Sequence, residues 1–346
     1  MPVGTQGAVK AVQQRELEEL GARIILGNTY HLYLRPGMEV IRGAGGLHAF
    51  MNWRRPILTD SGGYQVFSLP SFRRIDEEGV EFTSHLDGST HVFTPERVIE
   101  IERILGADIM MPLDECVPFP CDEHYAASSS AMTLRWAMRA REHAGRLPAM
   151  YGTDQFLFGI VQGSVYPRLR EESSRGMTEL NFDGYAIGGL SVGEPEETMY
   201  AMTALCTEIL PAEKPRYLMG VGTPENLLES IERGIDMFDC VMPTRNGRNG
   251  VVFTRTGRLN MRNAVHATDL RPIDDKCPCY GCRTFSRAYV RHLFKAGEIL
   301  ALQIASLHNL TFYLWLVGEA RTAIQEGRFG PWKSLMLTSL APRSEV

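Results

Sequence analysis

Three cysteines within six residues, Cys277-Pro278-Cys279-Tyr280-Gly281-Cys282, are the densest chemistry in the chain. Thiolates at this spacing suit tetrahedral zinc, which asks for one more ligand. His308 and His292 are the candidates, and the spacing favours His308. With every position filled by protein, such an ion has no place for a reactive water. Its role is structural.

Two carboxylates stand out next. Thr59-Asp60-Ser61-Gly62-Gly63-Tyr64-Gln65 follows a short apolar run, and its glycines let the backbone approach a planar ligand. Asp239 follows Phe238 in another apolar run, and Arg245 and Arg248 come soon after. A carboxylate there is costly to bury unless it is paired or used. Either aspartate alone would serve as a cap or ion-pair partner. Both together, at strand ends facing across a barrel, suit glycosyl transfer with one nucleophile and one general acid/base. Asp114-Glu115-Cys116, Gln162-Gly163 and Gly188-Gly189-Leu190 offer acceptors, an amide and open backbone, the groups that read the edge of a purine-like base. Tyr64 and Met219 could stack on such a base, or simply pack a core.

These residues need a frame. Eight apolar runs, at 2–5, 23–26, 56–59, 108–112, 156–161, 185–190, 216–221 and 237–241, alternate with helical patterns at 9–20, 95–105, 126–142, 168–180, 195–210 and 224–233. Continuous rather than alternating apolar runs mark parallel strands buried on both faces, and eight of them argue for a (β/α)8 barrel. A doubly wound open sheet is the alternative. Asp60, Asp114 and Gln162 fall just past strand ends, where barrel enzymes collect their chemistry, and Asp239 falls within the eighth strand. The domain boundaries expected are a barrel over 1–262, a zinc-binding subdomain over 263–325 and a tail over 326–346.

The 346 residues are 44% apolar, enough for a large core, with no low-complexity stretch. Seven cysteines, three of them clustered, do not form a secreted disulfide framework; they fit a reducing, cytoplasmic compartment. The first twenty residues hold no apolar signal region, and the longest apolar stretch, 310–317, is read as too short to span a bilayer. Net charge is −5, but residues 243–295 carry eleven Arg and Lys against three Asp, a net +8 that leaves −13 elsewhere. A basic third on an acidic body is a footprint for a polyanion, although charges spread over several faces would give the same count.

Together these motifs resemble the tRNA-guanine transglycosylase family in its bacterial form. The match is carried by Gly27 to Leu32, Thr59 to Gln65, Leu113 to Cys116, Phe158 to Val165, Ala186 to Glu194, Met219 to Thr223, Phe238 to Gly250 and the Cys277/Cys279/Cys282/His308 set. The resemblance implies a homodimer that binds the tRNA anticodon stem-loop and flips the wobble guanine of GUN anticodons into the barrel mouth. Asp239 would attack the anomeric carbon and expel guanine. The base preQ1 (7-aminomethyl-7-deazaguanine) would then enter, with Asp60 as general acid/base. Asp114, Gln162 and Gly189 would read the base edge beside Ser61, with Gly62, Gly63, Tyr64, Cys116 and Met219 lining the site. The Leu190 carbonyl, supported by Glu194, would accept from the aminomethyl group. Gly220, Val221, Gly222, Thr223, Pro224, Glu225 and Asn226 would contact RNA, and Thr244, Arg245, Asn246, Gly247 and Arg248 would hold the neighbouring bases. One structural Zn2+ on Cys277, Cys279, Cys282 and His308 would brace that region.

Bulk at Cys116 and Val192 favours preQ1 over the larger base queuine by the same resemblance. Members usually carry an N-terminal segment with a barrel-capping hairpin; this sequence starts at the first strand. Rival readings are a queuine-accepting enzyme, a non-catalytic tRNA-binding subunit, a sugar-specific glycosidase and an archaeal-type exchange. Retention of both Asp60 and Asp239 speaks against the non-catalytic subunit.

Overall fold

The computed structural model describes residues 1–68 and 73–341. Seven short parallel strands form one sheet: β1 (Ile25–Gly27), β2 (Ile57–Thr59), β6 (Ile109–Met110), β7 (Phe156–Val161), β8 (Gly184–Ile187), β9 (Arg216–Leu218) and β10 (Met237–Phe238), in that spatial order. The eighth position is occupied, but not by a strand. Val3 makes an isolated parallel bridge to Leu26, and the Gly4 N–H donates to the Leu26 carbonyl at 2.7 Å. On the other side the Met1 nitrogen donates to the Phe238 carbonyl of β10 at 2.6 Å. A segment bonded to both edges of one sheet curls it on itself. The expected first strand is thus corrected to a bridge in a barrel-like core. Chain order equals spatial order throughout, which rules out the doubly wound sheet, whose order reverses at a switch point.

The strands are buried because both of their faces pack. One set of side chains, including Leu26, Leu58, Phe158, Ile160, Ala186 and Tyr217, fills the interior. The other meets surrounding helices such as Pro95–Leu105, Glu123–Arg146, Pro167–Glu179, Glu196–Ile209 and Pro224–Glu232. Their starts are written in the sequence. Thr94 accepts from the Arg97 N–H and Thr223 from the Asn226 N–H, each at 3.1 Å, with proline at the first helical position. The helix expected over 9–20 is shorter, Gln14–Glu19.

Two sheets were not anticipated. β3 (Arg73–Asp76), β4 (Gly79–Thr83) and β5 (Thr90–Phe93) form an antiparallel sheet between β2 and β6. Val80, Phe82 and Phe93 are buried there against Tyr30 and Trp136, while Glu81 and Val92 face outward. That is period-2 patterning, too brief to notice among barrel strands. β11 (Val251–Thr254) and β12 (Gly257–Asn260) pair as a hairpin. Val252 and Met261 pack in one cluster with the three cysteines of 277–282, so the hairpin shares the zinc lobe's core.

Helix Ile299–Gln325 ties the lobe to the barrel. Its 27 residues are long and apolar enough to cross a membrane by length and composition, which corrects the estimate drawn from 310–317 alone. Two-thirds of its apolar window is buried inside the fold (67%), as a core helix requires. Part of the stretch expected as a tail is helix Phe329–Leu340. Its Lys333 reaches Glu229 at 2.8 Å and Glu232 at 2.6 Å. Residues 342–346 of that stretch lie outside the described residues.

Candidate active site and zinc centre

Asp60 sits one residue past β2, buried in a cradle of donors. The Thr29 N–H (2.9 Å) and Gly62 N–H (3.2 Å) donate to Oδ1, and the Gln65 amide (2.9 Å) and the Asn28 amide donate to Oδ2. These bonds favour the carboxylate, but burial outweighs them and pushes the Asp60 pKa up to about 6. The Thr29 and Thr59 hydroxyls both donate to Glu102, a fully buried carboxyl whose pKa is driven well upward by burial.

Asp114, past β6, is the second buried carboxyl. Ser61 donates to its Oδ1 at 3.0 Å and the Gln162 amide to its Oδ2 at 2.8 Å. Burial again dominates, and with a smaller push from the Asp60 charge its pKa rises to about 6. Gly63 must be glycine, because a Cβ there would lie 2.7 Å from the Asp114 carbonyl. Gly189 is at φ +63° and its Cβ would lie 2.3 Å from Gln162 Oε1. Gln162 Oε1 itself is buried with no hydrogen-bond partner among the described residues. Cys116, half-buried, has its thiol pKa pushed up to about 12 by burial, so it stays a neutral wall. Past Leu190, the Glu194 carboxylate accepts from the Ser191 N–H and from the Val192 N–H (2.9 Å), which closes residues 191–194 into a tight turn. Tyr64 is exposed and Met219 half-buried.

Asp239 lies just past β10 rather than within it, a correction that frees its backbone from the sheet. The Tyr217 hydroxyl (2.6 Å) and Gly220 N–H (2.8 Å) both donate to Oδ1. Among the described residues Oδ2 has no hydrogen-bond partner, and the side chain is only half-buried. Tyr217 is fully buried and its phenol pKa is raised well above normal by burial and then by Asp239; the Asp60 charge adds to the push. One phenol thus senses both aspartates.

The loop after β9 and the helix after β10 border Asp239. Gly220 is exposed; Val221, Gly222, Pro224 and Asn226 are buried; Thr223 and Glu225 are half-buried. Tyr313 donates to the Gly222 carbonyl at 2.6 Å, pinning this loop to the long helix. In helix Met242–Arg248, Thr244 and Gly247 are buried, Asn246 and Arg248 half-buried and Arg245 exposed. A Cβ on Gly247 would lie 2.9 Å from the Ala305 backbone, so close contact with the long helix demands glycine. Asn309 donates to the Pro243 carbonyl (2.9 Å) and accepts from the Phe253 N–H (2.9 Å), locking helix to hairpin.

The metal donors converge. Cys277, Cys279, Cys282 and His308 are all buried, and their ligand atoms lie within 4.8 Å of one another. His308 Nδ1 is 3.2 Å from Cys282 Sγ, while Nε2 is 2.8 Å from the Phe253 carbonyl, which fixes Nε2 as the protonated nitrogen and aims Nδ1 at the thiols. His292 is exposed on a separate helix, Arg287–Ala296. Three thiols and one imidazole in this closed arrangement fit a structural zinc ion.

Asn28, Thr29, Glu102, Arg170, Tyr217 and Asn309 are the polar residues that sequence reasoning left without a role. A signal existed for three. Asn28 falls just past the end of an apolar run, as Asp60 does. Glu102 falls on the apolar face of its helix with Val98 and Leu105. Arg170 shares a face with Ser173, Ser174 and Met177.

The structure is thus an α/β barrel with carboxyls at the strand ends and a Cys3His lobe beside them, an arrangement compatible with glycosyl transfer. The family model described as queuine tRNA-ribosyltransferase matches residues 1–342. The queuine tRNA-ribosyltransferase of Thermoanaerobacter sp. (strain X514) is 57% identical over 334 residues, 96% of this chain and 88% of the relative. That of Oleidesulfovibrio alaskensis is 57% identical over 334 residues, covering the same shares. That of Solidesulfovibrio magneticus is 54% identical over 345 residues, 100% of this chain and 91% of the relative. The chain belongs to the queuine tRNA-ribosyltransferase family, the tRNA-guanine transglycosylases.

Proposed function

We propose that this enzyme exchanges the wobble guanine of GUN-anticodon tRNAs for preQ1 by double displacement through a covalent Asp239–ribosyl intermediate. The observation that carries this reading is the asymmetry of Asp239. Two donors hold Oδ1, and Oδ2 is left to attack. Oδ2 would form the bond to the anomeric carbon as the bond to guanine breaks, and the departing base takes its proton from protonated Asp60. PreQ1 then attacks the same carbon, releasing Asp239, while Asp60 accepts the proton from its ring nitrogen. Two inversions retain configuration. A carboxyl with its pKa near 6 can both hold and release a proton at neutral pH, which suits Asp60 to this role.

Asp114, Gln162 and Gly189 read the base edge in this proposal, and the Leu190 carbonyl receives the aminomethyl group. Exposed Arg245 and the Gly220 loop meet the RNA; buried Val221, Pro224, Thr244 and Gly247 shape that surface from beneath. Bound zinc would brace the lobe through Cys277, Cys279, Cys282 and His308 and take no part in the chemistry. The enzyme is proposed to act in the cytoplasm as a homodimer. The exposed Tyr280 and Tyr289, flanking Phe285 on the lobe, support a protein contact there.

Incubating tRNA with the protein should trap a denaturation-resistant adduct, and Asp239→Asn should abolish it and cut turnover by about three orders of magnitude or more. An adduct that survives the substitution sinks the assignment. A preference for queuine over preQ1 in base exchange overturns the choice of base.

A further inference from the structure

Arg170 lies on the first turn of helix Pro167–Glu179 and is fully buried. Among the described residues its guanidinium pairs with no carboxylate. Its Nε donates to the Ser164 carbonyl at 2.7 Å. Its Nη1 donates to Val161 (3.2 Å) and Gly188 (2.7 Å), and its Nη2 to Gly189 (3.1 Å). This is an expensive arrangement. A buried cation with no carboxylate in contact costs desolvation, which the more distant Glu194 charge only partly offsets, and a cation at a helix N-terminus opposes the helix dipole. An apolar side chain would avoid that desolvation but would take this donor away from all four carbonyls.

What the arrangement achieves is control of two loops. All four carbonyls belong to the exits of β7 and β8. In a trans peptide the carbonyl and the following N–H point in opposite directions. With the Gly188 and Gly189 carbonyls drawn to Arg170, the N–H groups of Gly189 and Leu190 are turned the other way. On that side the Gly189 N–H acts on the Cys116 thiol as a donor that lowers its pKa, against the larger effect of burial.

We propose that Arg170 is the positioning residue for base recognition: by holding these carbonyls inward it makes the β8 exit a donor surface, selective for a purine-like base that presents a carbonyl acceptor. The proposal rests on the base-exchange reading above. A planar fork suits it because one side chain must satisfy four acceptors in fixed directions, which neither Lys nor Gln can do.

The test uses Arg170→Gln and Arg170→Lys in the full chain, with guanine as the probe base. Arg170→Gln should raise KM for guanine about tenfold, the loss of one charged hydrogen bond's worth of recognition, with KM for tRNA unchanged. Arg170→Lys, which keeps the charge, should fall between. Hydrogen exchange at residues 188–192 should rise in both variants while the zinc lobe stays protected. A fall in kcat with KM for guanine unchanged overturns the proposal, as does unaltered exchange at 188–192. Loss of the cooperative melt in both variants makes Arg170 a folding residue and also overturns it. Absence of guanine exchange in the unmodified protein sinks the base-exchange reading instead. The hydrogen-exchange comparison still judges Arg170 in that case.

Discussion

The barrel mouth and the zinc lobe both gather polar groups from distant parts of the chain, but they balance them differently. In the lobe three thiols and an imidazole converge on one point, and the second nitrogen of His308 is satisfied by the Phe253 carbonyl. Nothing is left over for a substrate. At the mouth Asp60 and Asp114 are surrounded by donors yet still held at pKa values near 6 by burial, and Gln162 Oε1 and Asp239 Oδ2 are left without partners among the described residues. A closed donor set makes a brace. An incompletely satisfied one suits the proposed site, at the expense of stability.

Removing a ligand from the lobe should have the largest effect. His308→Ala or Cys279→Ser should lose stoichiometric zinc, whose binding by such donors is worth on the order of 10 kcal/mol, and should lower the melting temperature sharply. His292→Ala should keep its zinc. Metal analysis of the purified variants decides it, and zinc loss from the His292 variant would reverse the ligand assignment.

The mouth should respond to pH instead. A carboxyl whose folded pKa is raised binds its proton more tightly when folded, so its contribution to stability falls as pH rises from about 4 to about 6. Asp60→Asn removes that penalty. It should be more stable than the unmodified protein at pH 8, by about 1–3 kcal/mol, with the advantage gone at pH 4. It should also lose the acidic limb of the activity profile near pH 6 along with most of the activity. Equal melting shifts at both pH values would show that Asp60 is not strained by burial.

The last effect, confined to stability and RNA binding, tests the join between the regions. Gly247→Ala forces a methyl against the Ala305 backbone and should cost about 1–3 kcal/mol. Zinc content should be unchanged and tRNA binding weakened. A neutral melt would show that the long helix can yield there.

The sequence by itself determined much of this. The metal donors were legible because thiolates at that spacing have few other uses. The barrel was legible because parallel strands buried on both faces leave unbroken apolar runs. Asp60, Asp114 and Gln162 declared themselves by following such runs. The short antiparallel sheet of β3, β4 and β5 and the hairpin of β11 and β12 were not legible, since strands of four or five residues alternate too briefly to stand apart from loops. Spacing only leaned toward His308 over His292; burial among the thiols and the Phe253 carbonyl decided it.

Only the tertiary structure decided how the charges are held. Tyr217 meets Asp239, Glu102 collects the hydroxyls of Thr29 and Thr59, and Arg170 draws in carbonyls from two strand exits. Each of these contacts depends on which strands lie side by side. Sequence periodicity can say that a polar residue falls on a buried face. What it meets there is set by the closure of the barrel, which brings together residues tens of positions apart.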